Sequence, residues 1–502
     1  MKTKITRKKS LKAPCLAVFG TGSDVGKSVI VTGLCRYFAD RGIRATPFKA
    51  QNMSNNAGVT PEGLEMGRAQ IVQAEAAGIP PHVDMNPILL KPTSEIGSQI
   101  VRLGKALANT TAAAYQQKKQ DLFETSLSAL NRLRRQYELV IMEGAGSCAE
   151  VNLMDHDIVN FKMAESCDAP VILVADIHRG GVFAQIIGTL ACLPPDKQNR
   201  VAGFLINRFR GDLALFDDGV DWIEKNTSIP CFGVVPWFNH FRIEAEDSVV
   251  IEQPRPVRVT RTDRPALAVI RFPHIANFND FDPLVDLDEL DLYFIERHQD
   301  LSMFAAVILP GSKNTRFDLK WLKENGWAGE LDSFATQKGN ILGICGGYQM
   351  MGRWVHDPDG LEGKPGSSTG LGLLPLESTL KAPKTTRLTR FSLEGANGTG
   401  YEIHMGFTRR SGGEPLTTII ERNGKPVKGT EGCRMTDSGI MGTYLHGLFD
   451  SPSVLRWWLE SVGLSRVKVS DSYGPQSRDR NYHLLAEHLA AHVDFKKIEA
   501  LL

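Results

Sequence analysis

Residues 15–40 read CLAVFGTGSDVGKSVIVTGLCRYFAD, and this stretch decides the fold of the first half of the chain. Its opening run, CLAVFG, is apolar on both faces, which is typical of a strand buried within a parallel sheet. Its closing segment, Lys27–Asp40, repeats apolar side chains at helical spacing and is followed by Gly42, a residue type that commonly ends a helix. A strand, a glycine-rich turn and an amphipathic helix predict the opening of a βαβ fold.

The same alternation of apolar runs and helical stretches continues to about residue 250 and restarts at residue 265. Between these points lies IEQPRPVRVTRTDRP, in which three prolines stand among charges, and such a composition predicts a linker. We therefore expect an α/β protein with two domains. The expected parts are a disordered lead-in at 1–14, a parallel-sheet domain at 15–250, a linker at 251–264, a second domain at 265–452 and a helical extension at 453–502.

The composition of the 502 residues excludes several classes of protein. Lysine and arginine number 58 against 57 for aspartate and glutamate, and this balance provides no global field for a nucleic acid or an anionic membrane. The longest apolar runs are too short to span a bilayer. The cysteines form no CxxC pair and no zinc-like cluster, and the basic N-terminal segment has no apolar signal core. These features predict a cytoplasmic enzyme that binds neither nucleic acid nor membrane, and they leave its oligomeric state open.

The glycine-rich turn after the first strand has the features of a phosphate-binding loop. Glycines let successive N–H groups converge on phosphate oxygens, and the N-terminus of the following helix adds positive potential. Lys27 supplies a point charge, and Ser28 supplies an oxygen for Mg²⁺. The strict pattern GxxxxGK[ST] is missed because Thr21 replaces its first glycine, and a plain glycine turn before a helix is the alternative. The predicted phosphate-binding residues are Gly20, Thr21, Gly22, Ser23, Asp24, Val25, Gly26, Lys27 and Ser28.

The variant GTxSxxGKS resembles dethiobiotin synthetase and its relatives, P-loop enzymes that use ATP to activate carboxylates. This resemblance implies that ATP and Mg²⁺ bind here and that no tightly bound prosthetic group is needed. It further implies that Glu143, in VIMEGAGS, binds the metal together with Ser28, and that Asn207, after VAGFLI, contacts the adenine. A solvated acid at a strand end and an asparagine that caps a turn are the alternatives for Glu143 and Asn207.

A second diagnostic stretch is NILGICGGYQMMG at residues 340–352. It has the order strand, glycine-flanked turn and helix, with Cys345 at the apex, and it is the cysteine counterpart of the GxSxG nucleophile elbow. A thiolate nucleophile needs a base, and His446 in GTYLHGLFD follows an apolar strand from which it can reach Cys345. The N–H groups of Gly311, in LPGSKNT, and of Gly346 are candidates for stabilising an oxyanion. A buried structural thiol and a lone histidine are the alternatives.

These motifs are similar to those of the class I glutamine amidotransferase domain, a flavodoxin-like fold in which a cysteine thiolate hydrolyses glutamine through a thioester and releases ammonia. One departure concerns the acid that orients the histidine. Such domains usually carry a glutamate two residues beyond the histidine, and Leu448 stands there instead. The cobalamin-pathway amidotransferases resemble this sequence in lacking that glutamate. Glu402 in GYEIHMG can replace it only if the fold brings it close to His446, and an inactive regulatory module is the alternative.

Joining a carboxylate-activating ATPase to an ammonia generator has a direct chemical logic, because a carboxylate needs a leaving group before ammonia can displace it. The chain resembles cobalamin-pathway synthetases over nearly its whole length, in the segments PFKAQNMSNN, GRAQ, MNPILLKP, ADIHRGGVFA and INRFRGD. The resemblance implies glutamine- and ATP-dependent amidation of a corrinoid, at the b, d, e and g carboxylates of adenosylcobyrinic acid a,c-diamide. Polar residues suited to such a substrate are Lys49, Gln51, Asn52, Asn55, Arg179 and Arg210, each of which by itself is also an ordinary surface residue.

Two other functions stand as alternatives. Cobyrinic acid a,c-diamide synthase has the same two domains and acts on other side chains, but the segments QNMSNN and MNPILLKP favour the substrate given above. A partitioning-type ATPase switch binds partners and makes no product. Such switches carry a second lysine five residues before the P-loop lysine, and here that position is Gly22.

Overall fold

The computed structural model describes residues 12–94, 97–244, 264–471 and 473–502. The expected lead-in lies outside these residues as far as residue 11, and the expected linker lies outside them as far as residue 263. Within the described ranges, no helix has both the length and the apolar composition needed to cross a membrane.

The first half of the chain alternates strands and helices. Its strands are β1 (Cys15–Gly20), β2 (Ala45–Phe48), β3 (Gln51–Met53), β4 (Ala57–Val59), β5 (Glu65–Gly67), β6 (Ile88–Ser94), β7 (Gly97–Arg102), β8 (Lys105–Thr111), β9 (Leu139–Glu143), β10 (Val171–Asp176), β11 (Val201–Phe209) and β12 (Cys231–Pro236). Its helices are α1 (Lys27–Asp40), α2 (Arg68–Ala76), α3 (Ala112–Gln136), α4 (Phe161–Cys167), α5 (Val182–Cys192), α6 (Pro195–Gln198) and α7 (Asp217–Thr227).

The main sheet of the first half has the order β12-β11-β10-β1-β9-β2, and its neighbouring strands are all parallel. Alternate residues of β1 pack on opposite faces, Ala17 and Phe19 against α4 and α5 and Leu16 and Val18 against α1. This two-sided burial explains the continuous apolar sequence of β1 and confirms the predicted parallel sheet. Because parallel strands end at one edge, the ends of β1, β9, β10 and β11 bring their polar residues together there.

The second half is built on the same plan with more antiparallel strands. Its strands are β13 (Ala266–Ile270), β14 (Ile275–Ala276), β15 (Asp291–Ile295), β16 (Ala306–Leu309), β17 (Gly311–Ser312), β18 (Asn340–Ile344), β19 (Trp354–Asp357), β20 (Gly366–Thr369), β21 (Leu376–Thr379), β22 (Thr385–Leu393), β23 (Ala396–His404), β24 (Phe407–Arg410), β25 (Thr417–Arg422), β26 (Lys425–Glu431), β27 (Cys433–Arg434), β28 (Ile440–Thr443) and β29 (Leu445–His446). Its helices are α8 (Asp282–Val285), α9 (Thr315–Glu324), α10 (Trp327–Thr336), α11 (Gly346–Met350), α12 (Pro452–Ser461), α13 (Pro475–His492) and α14 (Phe495–Glu499).

The main sheet of the second half has the order β15-β13-β16-β18-β28-β27, and only its edge pair β27–β28 is antiparallel among the described strands. β18 leads into the turn at Cys345. Beside it, an antiparallel sheet of order β26-β25-β22-β23-β29 ends in the short strand that carries His446. Two sheets of different type therefore meet at the predicted nucleophile.

The C-terminal helices return to the first half of the chain. Leu485 and Leu489 of α13 pack on α1 at Gly33, where a Cβ atom would lie 2.2 Å from Cδ1 of Leu489. The ring of Phe495 in α14 stacks on the ring of Tyr37, with 3.4 Å between the ring centroids. Glycine in α1 therefore permits a close helix contact, and the C-terminal segment joins the two halves.

Buried polar contacts also tie the two halves together directly. The side-chain amide of Asn277 accepts a hydrogen bond from the N–H of Ala57 and donates one to its carbonyl, at 3.3 and 3.0 Å. Glu65 of β5 forms ion pairs with Lys91 of the first half at 2.9 Å and with Lys384 of the second half at 2.8 Å. Because an unpaired charge here would be buried, this cluster helps to fix the relative position of the two main sheets.

Candidate functional site

A cavity of about 1100 Å³ opens at the carboxyl edge of the first main sheet. The P-loop forms one side of it, through Ser23, Asp24, Gly26, Lys27 and Ser28. Crevices at this edge of parallel sheets commonly bind ligands, and this one is slightly larger than the usual range of small-molecule pockets. Its size is therefore compatible with the binding of a nucleotide.

The P-loop is held in shape by contacts of its lysine and by its left-handed residues. The Nζ of Lys27 donates to the carbonyls of Gly22 at 3.0 Å and Gly146 at 2.9 Å. Gly26 has φ 93°, and a Cβ atom there would lie 2.1 Å from Nδ2 of Asn207, so only glycine fits. Asp24, with φ 56°, also adopts the left-handed region.

Asn207 and Thr21, which are predicted to contact adenine and phosphate, both form hydrogen bonds within the protein. The Nδ2 of Asn207 donates to the carbonyl of Val25 at 2.9 Å, and the side chain is almost fully buried. The hydroxyl of Thr21, which stands where the strict motif has glycine, donates to Oε1 of Gln185 at 3.3 Å. The role of Asn207 in contacting adenine stays a prediction.

Glu143 lies at the end of β9 against the start of α1 and is 2% exposed. Its Oε1 atom accepts hydrogen bonds from Oγ of Ser28 at 2.9 Å and from Nζ of Lys49 at 2.8 Å, and Gln73 donates to Oε2. The serine hydroxyl and the carboxylate are thus in direct contact, and hard oxygen donors of this kind suit Mg²⁺. Among the described residues, no group of three or more His, Cys, Asp and Glu side chains is arranged to hold a metal ion.

Most of the predicted substrate-binding residues line the large cavity. Lys49, Gln51, Asn52 and Arg179 form part of its wall. The guanidinium of Arg210 lies 4.3 Å from the ring centroid of Trp237, which is itself part of the wall. Among the described residues, Asn55 is not part of the lining. Sequence analysis missed the wall residues Tyr115 and Trp237, which lie outside the segments that carry the resemblance, and it passed over His178, although that residue directly precedes Arg179 in ADIHRGGVFA.

The predicted nucleophile sits on a strained turn between β18 and α11. Cys345 has φ 52° and ψ −107°, a conformation that L-residues rarely adopt outside nucleophile elbows and similar functional turns. Its N–H donates to the carbonyl of Thr443 at 2.8 Å, and its thiol lies 3.5 Å from the carbonyl oxygen of Ile403. A Cβ atom at Gly347 would lie 2.0 Å from the carbonyl oxygen of Leu309, so the glycine after the turn is needed for packing.

The two glycines expected at the oxyanion site lie next to each other, Gly346 directly after Cys345 and Gly311 in β17. A Cβ atom built on Gly311 would approach Cε1 of His446 to 3.2 Å, and one built on Gly346 would approach the backbone nitrogen of Ser312 to 2.8 Å. Gly311, Gly346 and His446 are therefore neighbours, and the side chain of His446 contacts that of Cys345. The fold brings together the four residues that the sequence motifs had singled out.

The acid that orients His446 is Asp280, which sequence analysis missed. Its Oδ2 atom lies 2.6 Å from Nδ1 of His446, and its Oδ1 atom accepts the N–H of Gly447 at 2.9 Å. Both side chains are buried, and the ring of Tyr401 stacks on the imidazole with 5.3 Å between centroids. Burial alone would lower the pKa of His446, but the charges of Asp280 and Cys345 raise that pKa to about 10. These two neighbours therefore favour the protonated form of the imidazole.

Glu402, the substitute acid considered from the sequence, does not take this position. Tyr401 is paired with His446 across β23 and β29, and Glu402 is paired with Leu445. Because successive side chains of a strand point to opposite faces, Tyr401 reaches the histidine and Glu402 points away. The Glu402 carboxylate instead accepts from Thr389 Oγ1 at 2.9 Å and from Arg422 Nε at 3.1 Å. The sequence offered one signal for the acid that contacts His446: Asp280 stands between two aromatic residues in FNDF.

Comparison with known proteins assigns a family to each half of the chain. Residues 16–250 match a family described as the CobQ/CobB/MinD/ParA nucleotide binding domain, and residues 266–454 match the CobB/CobQ-like glutamine amidotransferase domain. The cobyric acid synthase of Chlorobium phaeobacteroides (strain BS1) is 48% identical over 96% of this chain and 98% of its own. Those of Chlorobaculum tepidum and Syntrophobacter fumaroxidans are 46% and 44% identical, over 97% and 98% of this chain and 97% and 99% of their own. The chain therefore belongs to the cobyric acid synthase family of glutamine-dependent ligases.

Proposed function

We propose that this enzyme converts the b, d, e and g carboxylates of adenosylcobyrinic acid a,c-diamide into primary amides, with ATP as the activating reagent and glutamine as the nitrogen donor. The observation that carries the proposal is the combination, in one chain, of a P-loop cavity of about 1100 Å³ with a buried Cys345–His446–Asp280 centre. A nucleotide alone would not need the polar wall beyond the P-loop, which suits a substrate with several carboxylates and amides.

At the glutaminase centre, the Cys345 thiolate attacks the carboxamide carbon of glutamine. The resulting oxyanion is stabilised by the N–H groups of Gly311 and Gly346. His446 gives a proton to the departing nitrogen, so that ammonia leaves and a thioester remains. Water then attacks the thioester with His446 as base, which releases glutamate and restores the thiolate. Asp280 holds Nδ1 of the imidazole throughout, so that Nε2 faces the sulfur.

At the nucleotide centre, Lys27 and the N–H groups of the P-loop hold the phosphates of ATP. A substrate carboxylate oxygen accepts the γ-phosphoryl group, which gives an acyl phosphate and ADP. Ammonia then attacks the acyl carbon, and phosphate leaves with the former carboxylate oxygen to yield the amide. Mg²⁺, which Ser28 and Glu143 are proposed to hold, would offset the phosphate charge when bound. Lys49, Gln51, Asn52, Arg179 and Arg210 are proposed to contact the substrate.

The test supplies ATP, Mg²⁺, the diamide corrinoid and either glutamine or an ammonium salt, and follows product mass and glutamate release. We expect Cys345→Ala to abolish product formation from glutamine and to keep product formation from ammonium. Lys27→Ala is expected to stop product formation from both donors while leaving glutamate release measurable. Equal loss with both donors in a folded Cys345→Ala variant would contradict separate roles. Amidation of cobyrinic acid instead of its diamide would favour the a,c-diamide synthase.

A further inference from the structure

Asp280, the acid that contacts His446, lies in a single short helical turn, Phe278–Phe281, which we call the Asp280 turn. The N–H of Asp280 closes this turn by donating to the carbonyl of Asn277 at 3.0 Å. A turn of this length makes few hydrogen bonds of its own and leaves N–H groups at its start without a partner inside the turn. The position of Asp280 therefore depends on contacts from outside the Asp280 turn.

Asn277 directly precedes the Asp280 turn, at the position whose side chain commonly caps such a turn. Its side chain makes no capping hydrogen bond. The amide instead exchanges two hydrogen bonds with the backbone of Ala57 in the first half, at 3.3 and 3.0 Å, and its Nδ2 also donates to the hydroxyl of Tyr401 at 3.0 Å. Asn277 has φ 55°, in the left-handed region that asparagine adopts more readily than most residues. Its backbone thus turns the side chain towards the first half.

The missing cap comes from the first half of the chain. Oδ1 of Asn56 accepts the N–H of Phe278, the first residue of the Asp280 turn, at 3.2 Å. Asn56 stands 222 residues before Phe278, and its side chain is buried. A side-chain oxygen that satisfies an N–H at the start of a helical turn stabilises that turn. The Asp280 turn is therefore capped across the interface between the two halves.

Asn56 is itself held by its own loop. Its N–H donates to Oγ of Ser54 at 3.0 Å, and its carbonyl accepts the N–H of Arg68 at 3.1 Å. The loop follows β3, all three residues of which line the nucleotide cavity. The stretch QNMSNN thus contributes its first residues to the nucleotide centre and its last residue to the support of the glutaminase centre.

The contacts of Asn277 and of the Asp280 turn end at the same imidazole. Oδ2 of Asp280 lies 2.6 Å from Nδ1 of His446, and Oδ1 accepts the N–H of Gly447 at 2.9 Å. The ring of Tyr401, whose hydroxyl is held by Asn277, stacks on the imidazole with 5.3 Å between centroids. Because hydrogen bonds weaken steeply with distance and angle, a displacement of ~1 Å at Asp280 would release the imidazole from its orienting acid.

We propose that Asn56 and Asn277 are positioning residues of the glutaminase centre. Asn56 caps the Asp280 turn, and Asn277 fastens both that turn and Tyr401 to the first half, so that Asp280 stays at Nδ1 of His446. The proposal rests on the proposed function, in which this centre hydrolyses glutamine. Neither asparagine is proposed to contact glutamine, and both act through Asp280 and Tyr401. A side chain of the first half thus completes the glutaminase centre of the second half.

The main test removes the side chain of Asn277 without straining its backbone. Asn277→Gly keeps a residue that readily adopts the left-handed conformation and deletes all three side-chain hydrogen bonds. We expect kcat for glutamate release to fall at least ~10-fold, while KM for glutamine and amide formation from ammonium stay within ~2-fold of the unaltered enzyme.

A second pair of variants tests the cap alone. Asn56→Ala removes the oxygen that accepts the N–H of Phe278, and we expect kcat for glutamate release to fall ~5-fold. Asn56→Asp keeps an acceptor oxygen at the start of the Asp280 turn and is expected to restore kcat to within ~2-fold of the unaltered enzyme. Equal losses in Asn56→Ala and Asn56→Asp would contradict the cap.

Arg242→Ala is the matched control for the loss of a contact between the halves. Arg242 of the first half is paired with Asp282 at 3.5 Å and with Asp286 at 3.0 Å, both of which lie just beyond the Asp280 turn. This variant therefore weakens the same interface without removing the cap or the contacts of Asn277. We expect kcat for glutamate release to stay within ~2-fold of the unaltered enzyme.

A readout without glutamine is the rate at which iodoacetamide modifies Cys345, followed by the mass of the peptide that contains it. Asp280 favours the protonated imidazole, which in turn favours the reactive thiolate, so Asn277→Gly is expected to slow the modification at least ~3-fold. Arg242→Ala should leave the rate unchanged. Equal kcat and equal modification rates in Asn277→Gly and Arg242→Ala would overturn the positioning role. Absence of glutamate release in the unaltered enzyme would instead overturn the proposed function.

Discussion

The nucleotide centre and the glutaminase centre are both built on a strand, a turn and a helix, but they differ in where their remaining residues come from. Each has a buried parallel strand, a turn with unusual backbone angles and a helix, at Gly20–Lys27 and at Ile344–Gly346. The phosphate contacts proposed for the P-loop come from consecutive residues. The glutaminase centre draws its parts from four distant segments, at Asp280, Gly311, Cys345 and His446.

The difference follows from what each centre has to bind. A phosphate is held by converging backbone N–H groups, which a single loop can supply. A nucleophile needs a base on one side and an acid behind that base, and one turn cannot present side chains from both directions. The first kind of site can be identified from a short motif, whereas the second depends on which strands lie side by side.

The largest expected effect tests the acid that the fold supplies. Asp280→Asn keeps the shape of the side chain but presents an amide to Nδ1 of His446, which favours the wrong tautomer. We expect kcat/KM for glutamine to fall by ~10²- to 10⁴-fold while amide formation from ammonium is kept. The measurement is glutamate release beside product mass. An equal fall with both nitrogen donors would show that Asp280 does not act at the glutaminase centre alone.

The same variant should change the pH dependence in a defined direction. Burial lowers the pKa of His446, but Asp280 and Cys345 together raise it to about 10, which favours the protonated imidazole. Removing the charge of Asp280 lowers that pKa, and the alkaline limb of glutamine kcat/KM is expected to move to lower pH. Glu402→Gln serves as the matched control, because Glu402 is buried but points away from His446. A shift with Glu402→Gln and none with Asp280→Asn would reverse the assignment.

The next-largest effect concerns the buried ion pairs of Glu65, which connect the two halves of the chain. Glu65→Gln leaves the buried ammonium groups of Lys91 and Lys384 without their shared carboxylate, and we expect a loss of ~3–5 kcal/mol in the free energy of unfolding in urea. Asp479→Asn, which removes the exposed partner of Arg36, should cost less than ~1 kcal/mol. Similar losses in the two variants would show that the buried cluster does not hold the halves together.

The ion pairs of Glu65 also predict how the free energy of unfolding changes at acidic pH. Burial alone would raise the pKa of Glu65, but Lys384 and Lys91 overcome this and lower it to about 2, from an ordinary value of 4.5. A carboxyl with a depressed pKa stabilises the fold above its unfolded pKa. Its contribution is therefore expected to be intact above a pH of about 4.5 and to be lost as the pH falls towards 2. In Glu65→Gln this part of the acid dependence should be missing.

The smallest expected effect tests the metal contact at the nucleotide centre. Glu143→Gln keeps a side chain beside Ser28 but removes the carboxylate charge, and we expect the Mg²⁺ concentration for half-maximal amide formation to rise ~10- to 100-fold. Glutamate release by the other centre should stay unchanged. An unchanged Mg²⁺ requirement would mean that Glu143 serves only as a buried partner of Ser28, Lys49 and Gln73.

The sequence by itself determined the features that depend on neighbouring residues. Continuous apolar runs such as CLAVFG predicted buried parallel strands, the GKS ending at residues 26–28 predicted the P-loop, and ICGG predicted the turn at Cys345. Each of these features is local, because burial on both faces and an unusual turn conformation each require a particular pattern of residues within a short stretch of sequence.

The tertiary structure alone decided which distant residues meet. It placed Asp280 next to Nδ1 of His446, turned Glu402 to the opposite face of β23 and returned α13 to α1. These contacts depend on strand pairing and on side-chain alternation, and a shift of one residue in register would reverse which side chain faces the site. Spacing along the chain carries no record of that register.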